Sequence, residues 1–339
     1  MARIVITGGL GYIASHCVVE LSRRGIDIVL VDNLSNSSLE TLNRLEAITG
    51  QRIEFHDLDI RNTAALEALL AAQQVTAVMH FAGLKSVTES WEKPLDYYDN
   101  NVAGTISLIK AMGKANIQHL VFSSSATVYG IPETLPVSES APRSATNPYG
   151  QSKLMLERLL EDLAHADSGW HIACLRYFNP VGAHDSGLIG EDPRETPNNL
   201  MPYIGQVAIG TRAALRVFGN DYPTEDGTGV RDFIHVTDLA LGHVAALDYL
   251  LGGEHGGFRA FNLGRGQGIS VLELIAAFEK ASGCAIPYTI DARRPGDVAA
   301  CYADPERANT ELDWCAERDI DTMCQDEWRW RKNNPNGYR

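Results

Sequence analysis

The stretch Arg3-Ile-Val-Ile-Thr-Gly-Gly-Leu-Gly-Tyr-Ile-Ala14 decides the fold. Its first five residues form a short apolar run typical of a buried strand, and Gly8 and Gly11 then break the strand and open a helix that we expect to reach about Arg24. Glycine allows a tight turn and a close approach of backbone to a pyrophosphate, which the helix N-terminus also attracts. Ala14 stands at the third glycine position, where one methyl group is tolerable. The stretch therefore predicts a dinucleotide site of the Rossmann type.

A carboxylate follows at the end of the second predicted strand, which spans 27–31. Asp32 lies about twenty residues beyond the glycines, where a carboxylate accepts hydrogen bonds from both hydroxyls of an adenosine ribose. A 2′-phosphate would face this charge with no arginine beside it, so the sequence favours NAD over NADP. The alternative explanation of the glycines is an ordinary strand–turn–helix unit without a ligand. The presence of Asp32 favours the dinucleotide site over this alternative. Asp59-Ile60 and Phe81-Ala-Gly-Leu-Lys85 follow later strands, at carboxyl ends where a bound dinucleotide would lie.

The first half of the chain alternates strands with helices. This alternation predicts an α/β fold whose doubly wound parallel sheet is covered on both faces. Further strands are expected at 52–56, 75–82, 118–123 and 171–176, and helices at 64–72, 94–115 and 149–166. After Asn179 the residues up to 202 are rich in Gly, Pro, Asn and Asp, which indicates long ordered loops, and shorter elements follow. We therefore expect a Rossmann-type NAD-binding domain at 1–179 and a smaller mixed α/β domain at 180–339, with segments near 230–250 packing back on the first.

The composition excludes several classes of protein. The chain has 339 residues and a net charge of −14, and its pI is near 5.1, which argues against nucleic acid or an anionic membrane as the main partner. It has no apolar run long enough to span a membrane, and it starts as a strand and not as a signal peptide. Six scattered cysteines without Cys-x-x-Cys pairs suit a reducing cytoplasm. No metal is expected, because the ten histidines lack His-x-x-x-His or carboxylate-paired spacing, so a metal hydrolase is excluded.

Three side chains in the middle of the chain form a candidate catalytic group. Ser125 lies in Phe122-Ser-Ser-Ser-Ala-Thr-Val-Tyr-Gly130, and Tyr149 and Lys153 lie four residues apart, which places them on one helix face. The ammonium lowers the pKa of the phenol by stabilising the phenolate. Base chemistry near neutral pH needs a pKa roughly three units lower, or about 4 kcal/mol, so a second positive charge is expected nearby, which an oxidised nicotinamide would provide. On its own, the Tyr-x-x-x-Lys spacing also occurs by chance on many amphipathic helices, so it does not by itself indicate a catalytic group.

Longer motifs carry a resemblance to a known family. The chain resembles the extended short-chain dehydrogenases/reductases and, within them, the UDP-glucose 4-epimerases. The stretches that match cover nearly the whole chain: Thr7-Gly-Gly-Leu-Gly-Tyr-Ile13, Asp32-Asn-Leu-Ser-Asn36, His80-Phe-Ala-Gly-Leu-Lys85, Tyr97-Tyr-Asp-Asn-Asn101, the Phe122–Gly130 stretch, Leu175-Arg-Tyr-Phe-Asn-Pro-Val-Gly182, Asn198-Asn-Leu-Met-Pro-Tyr203, and Phe218-Gly-Asn-Asp-Tyr-Pro-Thr-Glu-Asp-Gly-Thr-Gly-Val-Arg-Asp232.

The resemblance implies a UDP-hexose 4-epimerase that keeps one NAD through its whole cycle. Tyr149 would take the proton of the sugar 4-hydroxyl while carbon 4 gives its hydride to the nicotinamide. Ser125 would hold that oxygen, and Lys153 would hold the nicotinamide ribose and favour the phenolate. The 4-keto sugar would then turn and take the hydride back on its other face, which requires a firmly held UDP and a loosely held hexose. Association of the helices at 94–115 and 149–166 would give a homodimer.

The resemblance also implies two sets of binding residues. Those expected to contact the cofactor are Gly8, Gly11, Tyr12, Ile13, Asp32, Asn33, Asn36, Ser37, Asp59, Ile60, Phe81, Ala82, Gly83, Lys85, Asn100, Ser125, Tyr149, Lys153 and Phe178. Those expected to contact the UDP-sugar are Lys85, Ser125, Tyr149, Asn179, Asn199, Leu200, Val217, Phe218, Arg231, Arg294, Asp297 and Cys301. Guanidinium groups pair well with phosphate oxygens, although surface ion pairs would be the simpler explanation of the two arginines without the surrounding motifs.

Cys301 departs from part of the family, in which many bacterial members carry tyrosine at this position. The thiol is smaller by an aromatic ring, so it leaves space beside carbon 2 of the hexose for an N-acetyl group. We therefore expect the chain to interconvert UDP-GlcNAc and UDP-GalNAc as well as UDP-glucose and UDP-galactose. The alternative is a passive small residue whose gap is refilled by Tyr302.

Two other functions are less well supported. A nucleotide-sugar 4,6-dehydratase needs an acid and a base at carbons 5 and 6, which such enzymes place as Asp-Glu just after the hydroxyl residue, whereas Ala126-Thr127 stand there. A non-catalytic NAD-binding sensor would have lost the tyrosine or the lysine, and both Tyr149 and Lys153 are present.

Overall fold

The computed structural model describes residues 2–193, 197, 199–253, 256–294 and 296–339. The strands are β1 (Arg3–Thr7), β2 (Asp27–Asp32), β3 (Glu54–Asp57), β4 (Ala77–His80), β5 (His119–Ser123), β6 (His171–Tyr177), β7 (Asn179–Val181), β8 (Leu215–Phe218), β9 (Val230–Arg231), β10 (Phe233–His235), β11 (Gly257–Leu263), β12 (Ile269–Ser270), β13 (Tyr288–Asp291) and β14 (Ala300–Cys301). The helices are α1 (Tyr12–Arg23), α2 (Leu39–Thr49), α3 (Thr63–Ala72), α4 (Val87–Glu92), α5 (Pro94–Tyr97), α6 (Gly104–Lys114), α7 (Pro148–Ala166), α8 (Leu200–Ala208), α9 (Val236–Leu251), α10 (Val271–Ser282), α11 (Glu306–Glu311) and α12 (Ile320–Asn333).

A parallel sheet organises the fold. Its seven strands run in the order β11-β6-β5-β4-β1-β2-β3, and every neighbouring pair is parallel. The order reverses between β1 and β4, so a crevice opens at the carboxyl ends of these strands. The predicted α/β fold with a Rossmann-type doubly wound sheet is therefore confirmed.

Two apolar cores cover the sheet, and β1 contributes to both. Ile4 and Ile6 are fully buried in the core that contains α1 and α9, whereas Val5 is fully buried in the core that contains α3, α6 and α7. Since successive strand residues point to opposite faces, a strand between two helical layers reads as a continuous apolar run. This burial explains why the three central residues of β1, Ile4, Val5 and Ile6, are all apolar.

Part of the second half of the chain packs with the first. Helix α9 lies against α1 in one apolar core, and β11 completes the sheet beside β6. Helix α9 and strand β11 therefore pack with elements of the first half of the chain. The remaining elements build a smaller unit around its own core, in which α8, α10 and α12 pack beside the short pairs β8–β13 and β7–β10. The division of the chain at residue 179 stays a prediction.

The helix predicted at 94–115 is interrupted, which corrects that expectation. A π-helical turn at Tyr98–Ala103 separates α5 from α6. Within this turn Asn101 is buried, and its side-chain amide donates to the carbonyl of Leu84 and accepts from the Leu84 N–H at 2.8 Å. The extra residue of a π-helical turn re-aims side chains, and such turns are frequent at functional sites. None of the helices in the described ranges is long and apolar enough to cross a bilayer.

Candidate active site

The first cleft lies at the crevice of the sheet and encloses about 1340 Å³ of space, counted out to its open mouth. Most residues predicted to contact a cofactor line it, namely Gly8, Gly11, Tyr12, Ile13, Asp32, Asn33, Asn36, Ser37, Ile60, Phe81, Ala82, Gly83, Lys85, Asn100, Tyr149 and Lys153. Three predicted residues do not line it. These are Ser125, Phe178 and Asp59. Asp59 lies behind Asn33 and accepts a hydrogen bond from its side-chain amide at 3.0 Å.

The glycine turn after β1 leaves space that a side chain would fill. Gly8 has a φ of +68°, and a Cβ on it would lie 2.6 Å from the backbone nitrogen of Ala82, in the loop after β4. Gly11 is the N-cap residue of α1 and has no side chain to bond the first N–H groups, and the first turn of α1 holds no acidic residue. The N–H groups of this turn are therefore available to a ligand in the cleft. A close backbone cradle at a bare helix N-terminus fits the pyrophosphate of a dinucleotide.

Asp32 is held in one orientation by its neighbours. One carboxylate oxygen accepts from the Leu34 N–H at 2.9 Å and from the Ser37 hydroxyl at 2.7 Å, and the other accepts from the Leu10 N–H at 3.1 Å. Two carboxylate oxygens can accept more bonds than these three, so capacity remains for ribose hydroxyls. Among the described residues that line the cleft, the cations are Lys85 and Lys153, and neither follows β2. The geometry suits an unphosphorylated adenosine ribose.

The three candidate catalytic side chains meet at the inner end of this cleft. Tyr149 and Lys153 are 6% and 5% exposed on α7, and the Lys153 ammonium donates to the carbonyl of Ser123 at 2.8 Å. The Ser125 hydroxyl lies two residues beyond the end of β5, where it accepts from the N–H of Thr127 at 3.2 Å and is close enough to the Tyr149 phenol to lower its pKa. Helix α7 starts at Pro148 and is capped by the Asn147 side chain, which fixes the first turn that carries Tyr149.

Burial controls the protonation of this group. It raises the pKa of Tyr149, and the hydrogen bond from Ser125 only partly opposes that rise. Burial also lowers the pKa of Lys153 to about 8, although the nearby Cys174 and Glu157 act in the opposite direction. Both effects follow from the cost of a charge in a poorly solvated place. Lys153 is not among the groups that lower the pKa of Tyr149, so the expected effect of the ammonium is not seen, and without a further positive charge the phenol stays protonated at neutral pH.

A second, larger cleft of about 2370 Å³ is lined mainly by the smaller unit and also by residues in and beside α4, namely Ser86, Thr88, Glu89, Glu92 and Lys93. The predicted substrate residues that line it are Asn179, Asn199, Leu200, Val217, Phe218, Arg231, Arg294 and Asp297. Lys85 and Tyr149 line the first cleft instead, and Ser125 and Cys301 line neither cleft in the described part of the chain. The other predicted residues thus divide into two spaces, as expected for a cofactor and a substrate that must meet.

The second cleft combines cations with an aromatic ring. The Arg294 guanidinium lies 4.7 Å from the centroid of the Phe218 ring, and its Nε donates to Asp297 at 2.9 Å. Arg231 is fixed by donating to the carbonyls of Val230 and Val298, both at 2.9 Å. Two arginines beside a flat ring suit a ligand that has both phosphates and a base.

Cys301 lies on β14, opposite Arg231 in the parallel register. It is half-buried and packs in the small apolar cluster that contains Phe178, and burial raises the pKa of its thiol to about 11, so the thiol is neutral. Tyr302 follows β14, and its ring lies 3.2 Å from the position of a Cβ on Gly268. The Tyr302 ring therefore packs beside Gly268.

The sequence analysis missed residues that reach the clefts from far along the chain. Glu191 is 5% exposed, and one of its carboxylate oxygens accepts from Lys85 at 2.7 Å and from Asn199 at 2.9 Å. Tyr338 lines the first cleft, and its hydroxyl lies 3.2 Å from both the N–H and the carbonyl oxygen of Gly190. Neither residue lies in a periodic or glycine-rich pattern, so no local signal marks them.

Further contacts hold the segment around Glu191. The Arg331 guanidinium donates to the Glu191 carbonyl at 2.6 Å, and the Tyr338 N–H donates to Asp192 at 2.9 Å. The Arg44 guanidinium lies 4.9 Å from the centroid of the Tyr338 ring. The end of the described chain thus completes a wall of the cofactor cleft.

Comparison with known proteins places the chain in a family. The model of the family described as GDP-mannose 4,6 dehydratase matches residues 5–327. The UDP-glucose 4-epimerase of Bacillus subtilis is 57% identical over 336 residues, which cover 99% of this chain and 98% of that protein. At the position of the acid and base of a dehydratase, this chain has Ala126 and Thr127 in a 3₁₀ turn.

Solved structures agree with that comparison. A UDP-glucose 4-epimerase from Stenotrophomonas maltophila, crystallised with NAD and formylated UDP-arabinopyranose, has a TM-score of 0.97 and 50% identity, with 99% of each chain covered. The enzyme from Bifidobacterium longum, in complex with NAD+ and UDP, has a TM-score of 0.95 and 52% identity, with 99% of this chain and all of that one covered. The chain therefore belongs to the UDP-glucose 4-epimerase family of the extended short-chain dehydrogenases/reductases.

Proposed function

We propose that the chain interconverts UDP-glucose and UDP-galactose through a 4-keto intermediate, as an NAD-dependent isomerase that keeps its cofactor through each cycle. The observation that carries this proposal is the buried Tyr149 phenol, which lines the first cleft, with Lys153 one helical turn away and Ser125 close enough to lower its pKa. Membership of the epimerase family supports the same function.

The side chains divide the chemistry among them. Bound NAD supplies a hydride acceptor and a positive charge close to the phenol. Tyr149 takes the proton of the sugar 4-hydroxyl and later returns it, and the Ser125 hydroxyl holds that oxygen in place. Lys153 stabilises the phenolate, and its own donation to the Ser123 carbonyl fixes its position. Burial of the phenol excludes water, which protects the ketone and strengthens these interactions.

The second cleft suits a substrate that must turn. Arg231 and Arg294 bind the pyrophosphate and Phe218 binds the base, so the UDP portion is held at several points. The hexose would lie near Cys301 and Phe178, which are mainly apolar. Few strong polar contacts then oppose rotation of the ketone, which presents either face for the return of the hydride.

We also propose activity on UDP-GlcNAc and UDP-GalNAc. The support is the small thiol of Cys301 and the packing of the Tyr302 ring beside Gly268. Wild type should turn over both acetylated and non-acetylated UDP-hexoses, and Cys301→Tyr should lose the acetylated activity while it keeps UDP-galactose turnover. A wild type with no acetylated turnover would end this part of the proposal.

The quaternary structure proposed is a homodimer. Leu95, Trp91 and Met155 are 79%, 64% and 48% exposed on α5, α4 and α7, and these helices pack side by side. An apolar surface of this kind on neighbouring helices fits a second copy of the chain.

A cytoplasmic location is proposed because the six cysteines are all free thiols. The division into an NAD-binding domain at 1–179 and a UDP-sugar-binding domain at 180–339 is proposed with them.

One preparation tests the central proposal. The purified protein is denatured and the released NAD is counted, and a second portion is mixed with UDP-galactose without added cofactor. The expected results are about one NAD per chain and formation of UDP-glucose. The absence of both would favour a non-catalytic nucleotide-binding protein, and consumption of free coenzyme in proportion to product would refute a retained cofactor.

A further inference from the structure

The catalytic face of α7 continues one turn beyond the residues assigned so far. Tyr149, Lys153 and Glu157 are spaced by four residues, so they share one face of the helix. Opposite this face lie three successive serines, Ser123 at the end of β5 and Ser124 and Ser125 directly after it. Each helix residue interacts with a different serine of this run: Lys153 donates to the carbonyl of Ser123, Glu157 accepts from the hydroxyl of Ser124, and Ser125 lowers the pKa of Tyr149.

We propose that Glu157 and Ser124 form a positioning pair for the reaction, which fixes the strand end that carries Ser125 and the carbonyl that holds Lys153. This inference rests on the proposed function and adds two residues to it. Neither lines a cleft in the described part of the chain, so both act through their neighbours.

Glu157 is completely buried and heavily bonded. Its carboxylate accepts from the Arg176 guanidinium at 3.0 and 2.8 Å, one bond to each oxygen, and from Arg143 at 3.0 Å. The Ser124 hydroxyl donates to it at 2.5 Å. Burial alone would raise the pKa of the Glu157 carboxyl, but the charge of Arg176 and the hydrogen bonds lower it below its usual range. The carboxylate is thus a fixed, charged anchor.

The bond to Ser124 is not needed to neutralise that anchor. The Arg176 fork already pairs both oxygens, which satisfies the charge in the geometry that carboxylates prefer. What the Ser124 hydroxyl adds is orientation, because its two neighbours each hold a catalytic group. The Ser124 N–H also donates to the carbonyl of Leu175 at 2.9 Å, so backbone and side chain are fixed on opposite sides. Loss of the side-chain bond removes one of these two constraints, so the residue can shift about the remaining bond to Leu175.

A small rotation matters at this place. Displacement of reacting groups by about 1 Å can cost roughly 100-fold in rate, because the bound geometry must be close to that of the transition state. A shift at Ser124 would lengthen the Ser125–Tyr149 contact and move the carbonyl that holds Lys153. Binding of the UDP portion occurs in the other cleft and would be unaffected. The expected signature is therefore a loss of kcat with an unchanged KM.

Ser124→Ala in the full-length enzyme tests the proposal. We expect kcat for UDP-galactose to fall about tenfold, with KM within about twofold of wild type and the same NAD content. Ser90→Ala is the matched control, because Ser90 is another fully buried serine that donates at 2.7 Å but lies on α4. If Ser124→Ala keeps the kcat of wild type, or loses no more than Ser90→Ala, the pair has no positioning role.

A second pair of variants and a second measurement complete the test. Glu157→Gln should lose kcat as Ser124→Ala does, whereas Glu161→Gln, which also loses a partner of Arg143 one turn further on, should not. Titration of the Tyr149 phenol by absorbance, as a difference from Tyr149→Phe, needs no turnover. It should give a higher pKa in Ser124→Ala, because Ser125 then stabilises the phenolate less. An unchanged titration refutes the inference, while a wild type that does not convert UDP-galactose refutes the proposed function.

Discussion

Gly8 and Gly25 offer a controlled test of the cofactor cradle. Both have positive φ angles, +68° and +69°, so alanine at either position adopts a left-handed backbone that costs about 1–2 kcal/mol. They differ in what a methyl group would contact. Nothing lies within 4 Å of a Cβ at Gly25, whereas one at Gly8 lies 2.6 Å from the nitrogen and 2.8 Å from the Cα of Ala82. Gly25→Ala therefore reports the backbone cost alone.

The additional effect at Gly8 follows from these distances. Ordinary contact begins near 3.4 Å, so the turn after β1 and the loop after β4 must separate by roughly 0.8 Å. Both sides are backbone, and β1 and β4 are paired in the centre of the sheet, so the shift cannot be absorbed by a side-chain rotation. It occurs where the pyrophosphate is expected to bind.

The assay is NAD content on purification, together with Tm with and without added NAD. Gly25→Ala should lower Tm by about 2–4 °C and retain the NAD content of wild type. Gly8→Ala should lower Tm further, retain well under one NAD per chain, and regain activity only with added NAD. If Gly8→Ala purifies with full NAD and the kcat of wild type, the argument that the backbone cradle needs glycine is wrong.

Three further predictions concern the catalytic residues and the surface. Tyr149→Phe should lower kcat about 10³-fold without changing NAD content, and a variant that retains wild-type turnover would remove the phenol from the mechanism. Lys153→Met should abolish activity yet raise stability at pH 7. Because burial lowers the pKa of Lys153 in the folded protein from 10.5 to about 8, the charged lysine opposes folding by roughly 3 kcal/mol below pH 8. The gain in the variant is smaller by about 1 kcal/mol, since methionine loses the hydrogen bond of the ammonium. This advantage should shrink in unfolding experiments between about pH 8 and 10.5, and a constant difference would contradict it. Leu95→Asp should convert a dimer to a folded monomer by light scattering, and an unchanged mass would exclude α5 from the interface.

Local patterns were sufficient to predict the centre of the fold. The apolar run before Gly8, the glycine spacing and Asp32 are close in sequence, and each reflects a steric or electrostatic need of its own strand or turn. The same holds for Tyr149 and Lys153, whose four-residue spacing is a property of one helix. These predictions depended on contacts within about one element, which sequence periodicity records.

Contacts between distant segments could not be predicted in this way. Nothing in the residues of β11 indicates that this strand pairs with β6. The π-helical turn at Tyr98–Ala103 depends on the buried bonds of Asn101 to Leu84, and Glu191 is placed by residues more than a hundred positions away. Such arrangements are set by tertiary packing, which overrides local preference.

The contacts of Tyr338 have a consequence for how the protein is handled. Because its ring and hydroxyl help to close the cleft that Gly8 opens, cofactor retention depends on a segment more than three hundred residues away. A protease cut or a bulky tag near 334–338 would then release NAD even though every glycine and catalytic side chain is intact. Conversely, bound NAD should shield this segment from proteolysis, so the pattern of cleavage fragments would show whether the protein carries its cofactor.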